Sequence, residues 1–352
     1  MKKWALVLEG GGAKGAYQVG AYFALMEMGF DFSKIVGTSI GAFNGAMFAQ
    51  GDAYECFKAW KSLDFSAFET ELQEIEKDEN LFSKIVDKLR EHDIKIPELT
   101  RSPYPLYRLV DQFIDEDKLR SSDVDFGMCT VNVSDFKVER LFKDDIEEGL
   151  LKDYIIASCY LPFFKLQRLH GKYFIDGGFA SPAPMEMIDE DTDIVLVRLS
   201  RQPLKNIERA SYIIKPNKNL GSSLGFDKEK ADDLIKLGYF DAFRAIKGLR
   251  GEDYYIMPLD EEESLKYIYR LLREKVKESE SKIARIIFED YAPKLANELE
   301  MPENFRYDEL LYMLLEREGN KRQIDRFRIY TVEELMREIE NVNWPRLKFR
   351  EN

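Results

Sequence analysis

The chain has 352 residues, room for one large domain or two, and 45% of them are apolar, enough for a sizeable core. Its charged residues sum to −13, which argues against nucleic acid as a partner and against tight electrostatic binding to an anionic bilayer. No apolar run approaches the roughly 18–20 residues of a membrane span, and the run after Met1 is too short for a secretory signal. Cys56, Cys129 and Cys159 are odd in number and lack metal spacing, so reduced, buried thiols in a cytoplasmic protein are expected, with transient contact at a membrane surface left open.

Trp4–Leu8 is a short apolar run of the length of a central strand. Gly10-Gly11-Gly12-Ala13-Lys14-Gly15 ends it. From Lys14 to Met28 the residues Tyr17, Gly20, Ala21, Ala24, Leu25 and Met28 recur at helical spacing. Glycines let the backbone come close to a ligand, and their amides open the helix, where free N–H groups and the helix dipole favour an anion. Gly10-x-Gly12-x-x-Gly15 also fits the dinucleotide fingerprint, which requires an acidic residue about 20 positions further on. Gly37-Thr38-Ser39 stands there instead, and Asp31 precedes the second strand, so nucleotide binding is the minor reading. A Walker loop fails, because Ala16-Tyr17 occupies the place of Lys-Ser/Thr.

Ser33–Val36 reads as the next strand and Ala42–Gln50 as the next helix. Between them, Gly37-Thr38-Ser39-Ile40-Gly41 has the form G-x-S-x-G in the strand–turn–helix context that exposes a serine hydroxyl. The plainer use of Ser39 is as an N-cap. Both expected loops lie at the carboxyl ends of neighbouring parallel strands, where open α/β sheets bind ligands.

Residues 52–120 read as a charged helical insertion, whose Phe57, Trp60, Phe65, Phe68 and Phe82 are core residues or the acyl-facing side of a lid. Pro97, Pro103 and Pro105 predict a break and a mobile loop near Thr100–Pro105. Strands are expected at Phe126–Val133 and Phe136–Phe142 around a Ser134-Asp135 turn, and a helix at Ile146–Ser158. A hairpin then joins Phe164–Leu169 to Tyr173–Asp176. Asp193–Leu199 is an apolar strand buried on both faces, and Asp227–Arg250 a helix.

A serine nucleophile needs a base. His92 lies in the charged insertion and His170 at the hairpin turn, so both read as surface residues. Asp176 is carried on a strand end, with Gly177 and Gly178 allowing a sharp turn beside another backbone. It is the alternative base, or else an ordinary Asp-Gly turn.

Taken together, these motifs resemble the patatin-like phospholipases. Gly10–Gly15 matches the family's oxyanion loop (Gly10, Gly11, Gly12, Ala13, Lys14, Gly15) and Gly37–Gly41 its nucleophile turn (Gly37, Thr38, Ser39, Ile40, Gly41). Asp176-Gly177-Gly178 matches the dyad aspartate. Ile156–Phe164 looks like the approach to that aspartate and Asp125–Val133 like an internal strand; Lys14 stands where the family usually has arginine. The likeness covers about residues 4–250. It implies a three-layer α/β/α fold with a mostly parallel central sheet over residues 1–250, with the insertion at about 52–120. It further implies a lipid acyl hydrolase of the phospholipase A or lysophospholipase type. Ser39 attacks a phospholipid or other acyl ester, Asp176 serves as base without a histidine, and an acyl-enzyme forms. Oxyanion donors come from Gly10–Gly12, with Ile40 N–H a further candidate. No metal or cofactor is implied. The alternative is a catalytically idle relative that binds lipid or protein.

Residues 251–352 lie outside the likeness and read as a helical C-terminal extension with helices at Glu261–Lys277, Lys282–Glu298 and Val332–Glu340. The Leu265/Ile268/Tyr269/Leu272 and Leu310/Leu311/Met313/Leu314 stripes predict core packing, with docking to a partner or membrane as the alternative.

Overall fold

Strand β1 (Trp4–Leu8) is the pivot of an eight-stranded sheet. It pairs in parallel with β2 (Phe32–Thr38) on one edge and with β7 (Asp193–Val197) on the other. Beyond them lie β3 (Asp125–Asn132), parallel to β2, and β8 (Tyr212–Ile214), parallel to β7. Strand order thus reverses at β1, and the loop leaving its carboxyl end sits at the switch point. The computed structural model describes residues 4–62, 102–162, 164–165, 167–223, 228–273 and 280–341. Phe65, Phe68, Phe82, His92 and Pro97 lie outside the described residues.

The continuous apolar runs follow from burial on both faces. Leu8, Ile35 and Phe126 face the helix α2 (Ile40–Ala49), where Gly45 lets the sheet approach. Ala5, Val7, Val36, Ile194 and Leu196 point the other way, into a cluster with Ala183, Met185, Met187 and Ile188.

Three antiparallel strands complete the sheet: β4 (Lys137–Phe142), β5 (Arg168–Leu169) and β6 (Lys172–Asp176). β4 runs along Gly127–Asn132 of β3 and therefore takes up that edge from Gly127 onward. The other edge is shared: β2 pairs with Asp125–Cys129 and β6 with Thr130–Asn132. β2 and β6 run toward each other along that edge and end head to head, Thr38 opposite Cys129 and Asp176 opposite Thr130.

Among the described residues, the other α-helices of this region are α1 (Ala16–Glu27), α3 (Ala53–Ser62), α4 (Tyr104–Phe113), α5 (Glu116–Arg120), α6 (Leu151–Ser158) and α7 (Lys228–Lys247). α1 and α7 cross backbone to backbone, because a Cβ on Gly20 would lie 1.8 Å from Ile235 O and one on Gly238 1.9 Å from Tyr17 O.

Several expected boundaries move for local reasons. The glycine loop closes as a 3₁₀ turn over Gly12–Gly15, so the first α-helix starts at Ala16 rather than Lys14. Of the loop expected at Thr100–Pro105, Thr100 and Arg101 lie outside the described residues, Ser102 and Pro103 are non-helical, and Pro105 falls in the first turn of α4, where a proline loses no hydrogen bond. The helix expected from Ile146 starts at Leu151, after Gly149 turns the chain with φ 87°. The first strand of the 164–176 hairpin shrinks to Arg168–Leu169. β8 is only three residues long, too short to show a periodicity.

The chain divides into two compact units, Met1–Ala245 and Ile246–Asn352. In the second, a parallel pair of β9 (Tyr255–Ile256) and β10 (Ile329–Tyr330) accompanies α8 (Glu261–Arg273), α9 (Glu280–Ile286), α10 (Ala292–Glu298), α11 (Tyr307–Lys321) and α12 (Val332–Asn341). Ile268, Leu272, Leu310, Leu311, Leu315, Leu335 and Ile339 form its core. Met313, expected in the α11 stripe, is exposed instead, off the face that carries Leu310, Leu311 and Leu314. A π turn at Ile287–Tyr291 joins α9 to α10 just before Pro293, whose missing N–H widens the ladder there. Among the described residues no helix is long and apolar enough to cross a membrane.

Candidate active site

Ser39 closes β2 and caps α2, with φ 56° and ψ −129°. A non-glycine residue in this region carries about 1–3 kcal/mol of strain and persists only where its surroundings impose it. They do so here. A Cβ on Gly41 would lie 2.4 Å from Leu8 O, so only glycine lets α2 begin directly over the end of β1. The Ser39 N–H donates to Ser158 Oγ at 3.0 Å. Thr38 Oγ1 donates to Ser181 O at 2.8 Å.

Asp176 is the last residue of β6. Its Oδ2 accepts the Ser39 hydroxyl at 2.5 Å, across 137 positions of chain, and its Oδ1 accepts Gly178 N–H at 2.7 Å. Asp176 N–H donates to Tyr160 O. Gly177 turns the chain against β3, where a Cβ would lie 2.1 Å from Cys129 O. Asp176 is 3% and Ser39 8% exposed. Burial pushes the Asp176 carboxyl up to about 6, against the opposing pull of the Ser39 and Gly178 donors.

The glycine loop lies beside this pair, since a Cβ on Gly10 would meet Ser39 Cβ at 3.3 Å. Its amides are not equivalent. Gly10 N–H donates to Pro182 O at 2.8 Å and Ala13 N–H to Ser223 O at 2.7 Å. Lys14 N–H turns back to Gly11 O at 3.3 Å, and Gly15 closes the 3₁₀ turn against Ile40. Among the described residues the N–H groups of Gly11 and Gly12 donate to no acceptor, and neither does that of Ile40 at the start of α2. Of the loop amides, those of Gly10 and Ala13 are thus already committed, to Pro182 O and Ser223 O. Gly12, at φ 57°, is held where a side chain would strike Ser223 O.

His170 is elsewhere. Its Nε2 lies 2.6 Å from Asp153 Oδ2 in an exposed pair at the hairpin turn. Cys129 and Cys159 are close to Asp176, but burial pushes the Cys129 thiol up to about 12 and the Cys159 thiol well above its ordinary value. Neither is a thiolate at neutral pH.

The motif reading missed Ser158, Glu9 and Arg198, all buried: Ser158 is bonded to Ser39 of the nucleophile turn, and Glu9 and Arg198 are bonded to each other beside the glycine loop. Glu9 and Arg198 did leave a signal: each is a charge directly after an apolar strand, and buried charges have to find each other.

The family model described as patatin-like phospholipase matches residues 6–189. Over 50 residues, 14% of this chain and 4% of the relative, the chain is 58% identical to patatin-like phospholipase domain-containing protein 7 of Rattus norvegicus. Over 45 residues, 13% of this chain and 3% of the relative, it is 60% identical to lysophospholipase nte1 of Aspergillus terreus. These matches span only a small fraction of the curated relatives. Among solved structures, VipD from Legionella pneumophila aligns over 89% of this chain and 90% of its own at 15% identity and a TM-score of 0.44. The family match extends over more than half of the sequence, and the chain belongs to the patatin-like phospholipase family.

Proposed function

We propose that the chain is a serine acyl hydrolase acting on phospholipids or related acyl esters through a Ser39–Asp176 dyad. The observation that carries this reading is the 2.5 Å bond between the Ser39 hydroxyl and a buried carboxylate, made on a strained turn. A carboxylate titrating near 6 is ionised at neutral pH yet basic enough to receive a proton, which suits a general base.

Ser39 Oγ attacks the ester carbonyl carbon while its proton passes to Asp176 Oδ2. The resulting oxyanion is held by the uncommitted amides of Gly11, Gly12 and Ile40, aided by the α2 dipole. Collapse breaks the ester C–O bond, and the leaving alcohol takes the proton from Asp176. Water then adds to the acyl-enzyme, gives its proton to Asp176, and the fatty acid departs as Ser39 recovers its hydrogen. Each oxyanion donor of this kind typically contributes about 2.7–4 kcal/mol to the barrier reduction.

A fluorophosphonate probe tests the nucleophile. Labelling that maps to Ser39 and disappears in Ser39→Ala supports the reading. A folded protein that takes no label identifies a non-catalytic member of the family. Product profiling on a mixed phospholipid and triglyceride panel then defines the substrate class.

A further inference from the structure

We infer that Glu9 is a positioning residue: with Arg198 it clamps the turn after β7 and thereby fixes the Gly11–Gly12 segment of the oxyanion loop. The catalytic part of this inference rests on the hydrolase reading above; the mechanical part does not.

Glu9 follows β1 directly and is 2% exposed. Its Oε2 accepts three hydrogen bonds: from Arg198 Nε at 2.9 Å, Leu199 N at 2.5 Å and Ser200 N at 3.0 Å. Arg198 is itself buried and spends Nη2 on Gln202 O at 2.7 Å. The backbone of Glu9 is tied as well, its N–H to Val197 O and its carbonyl to Gln18 Nε2. The carboxylate therefore holds the amide of Leu199, and the Leu199 side chain lies against the α-carbon of Gly11, where a Cβ would come within 2.8 Å of Leu199 Cδ1. One residue further along, Gly10 N–H is bonded to Pro182 O; on the far side, Ala13 N–H is bonded to Ser223 O. The loop is anchored at both ends, and Leu199 walls its middle. Among the described residues, the amides of this loop's middle, Gly11 and Gly12, remain unbonded.

A buried ion pair is close to break-even for stability, because desolvation offsets most of the attraction. Stability alone is then a weak reason for two buried charges at the ends of apolar strands. Geometry is a better one, since a misplacement of about 1 Å near the reacting atoms can cost 100-fold in rate.

The test compares two charge-balanced double variants, Glu9→Gln/Arg198→Met and Glu9→Leu/Arg198→Met. Both remove the buried charges. Only the glutamine keeps an acceptor for the Leu199 and Ser200 amides. Two readouts are taken: kcat and KM for p-nitrophenyl butyrate, and hydrogen–deuterium exchange of the peptide covering residues 10–15. The leucine variant is expected to show kcat about tenfold or more below the glutamine variant, KM within twofold, and faster exchange in that peptide. Equal exchange in the two folded variants overturns the clamp. Faster exchange with kcat unchanged overturns its catalytic role. Should the leucine variant fail to fold, Leu199→Ala serves instead, since it keeps every Glu9 bond and removes only the wall; unchanged exchange there overturns the proposal. If the wild type has no Ser39-dependent turnover while exchange responds as expected, the clamp stands and the hydrolase reading fails.

Discussion

Ser158 Oγ accepts the N–H of Ser39 at 3.0 Å and donates its own hydrogen to Cys129 O at 2.7 Å. A single buried hydroxyl thus ties the strained turn to the strand edge on which β2 and β6 meet. Two residues on, Tyr160 O accepts the N–H of Asp176. The end of α6 therefore holds both members of the pair. Ser158→Ala leaves a buried donor and a buried acceptor unmatched, at a cost of about 1–3 kcal/mol, measurable by urea denaturation. It also frees Ser39 to relax, and ester turnover should fall between about 10- and 100-fold. Unchanged turnover would show that Ser158 plays no part in holding Ser39.

Activity should follow the ionisation of Asp176. The plot of kcat/KM against pH is expected to rise about tenfold per unit below about 6 and to level off above it, reporting one ionisation of the free protein. A profile governed by a group near 4, or flat through 6, would remove Asp176 as the base.

The same carboxyl links pH to stability. Its value in the folded state is raised to about 6 from 3.8, so the fold favours the protonated form. That contribution is complete below about 4 and is lost as pH rises through 6. Asp176→Asn, which stays neutral, should therefore be more stable than the wild type at pH 8, by on the order of 3 kcal/mol, and equal to it near pH 4. Denaturant midpoints at the two pH values check the sign.

His170 should be dispensable. Its exposed pairing with Asp153 is of the kind that contributes about 0–1 kcal/mol. His170→Ala is expected to keep ester turnover within about twofold, with a small change in melting temperature. A large loss of turnover in a folded variant would break the two-residue account.

The crossing of α1 and α7 offers a test away from the chemistry. Gly238→Ala places a methyl group 1.9 Å from Tyr17 O, backbone that cannot swing aside. Overpacking of this kind costs about 1–3 kcal/mol or more, read as a lower denaturant midpoint.

Much of the candidate site was legible because its pieces are punctuated locally. Glycines 10, 12, 37, 41 and 177 mark turns where backbone approaches backbone, and Ser39 and Asp176 sit at strand ends. What joins them is not local. β2 and β6 share one edge of β3 only because β4 takes up the other from Gly127 onward, and no spacing in the chain announces that. Which loop amides stay unbonded depends on Pro182 and Ser223, far along the sequence. The Glu9–Arg198 pair spans 189 positions. Composition misled at Pro105, where a residue that ends helices stands in the first turn of one.

The most direct measurement is p-nitrophenyl butyrate turnover by the wild type, Ser39→Ala and Asp176→Asn, each verified as folded. Both variants are expected to lose about a thousandfold or more, since groups acting as a unit fail together. A Ser39→Ala protein that keeps more than about a tenth of the wild-type rate would contradict the account, because the hydroxyl held by Asp176 would then not be the attacking group.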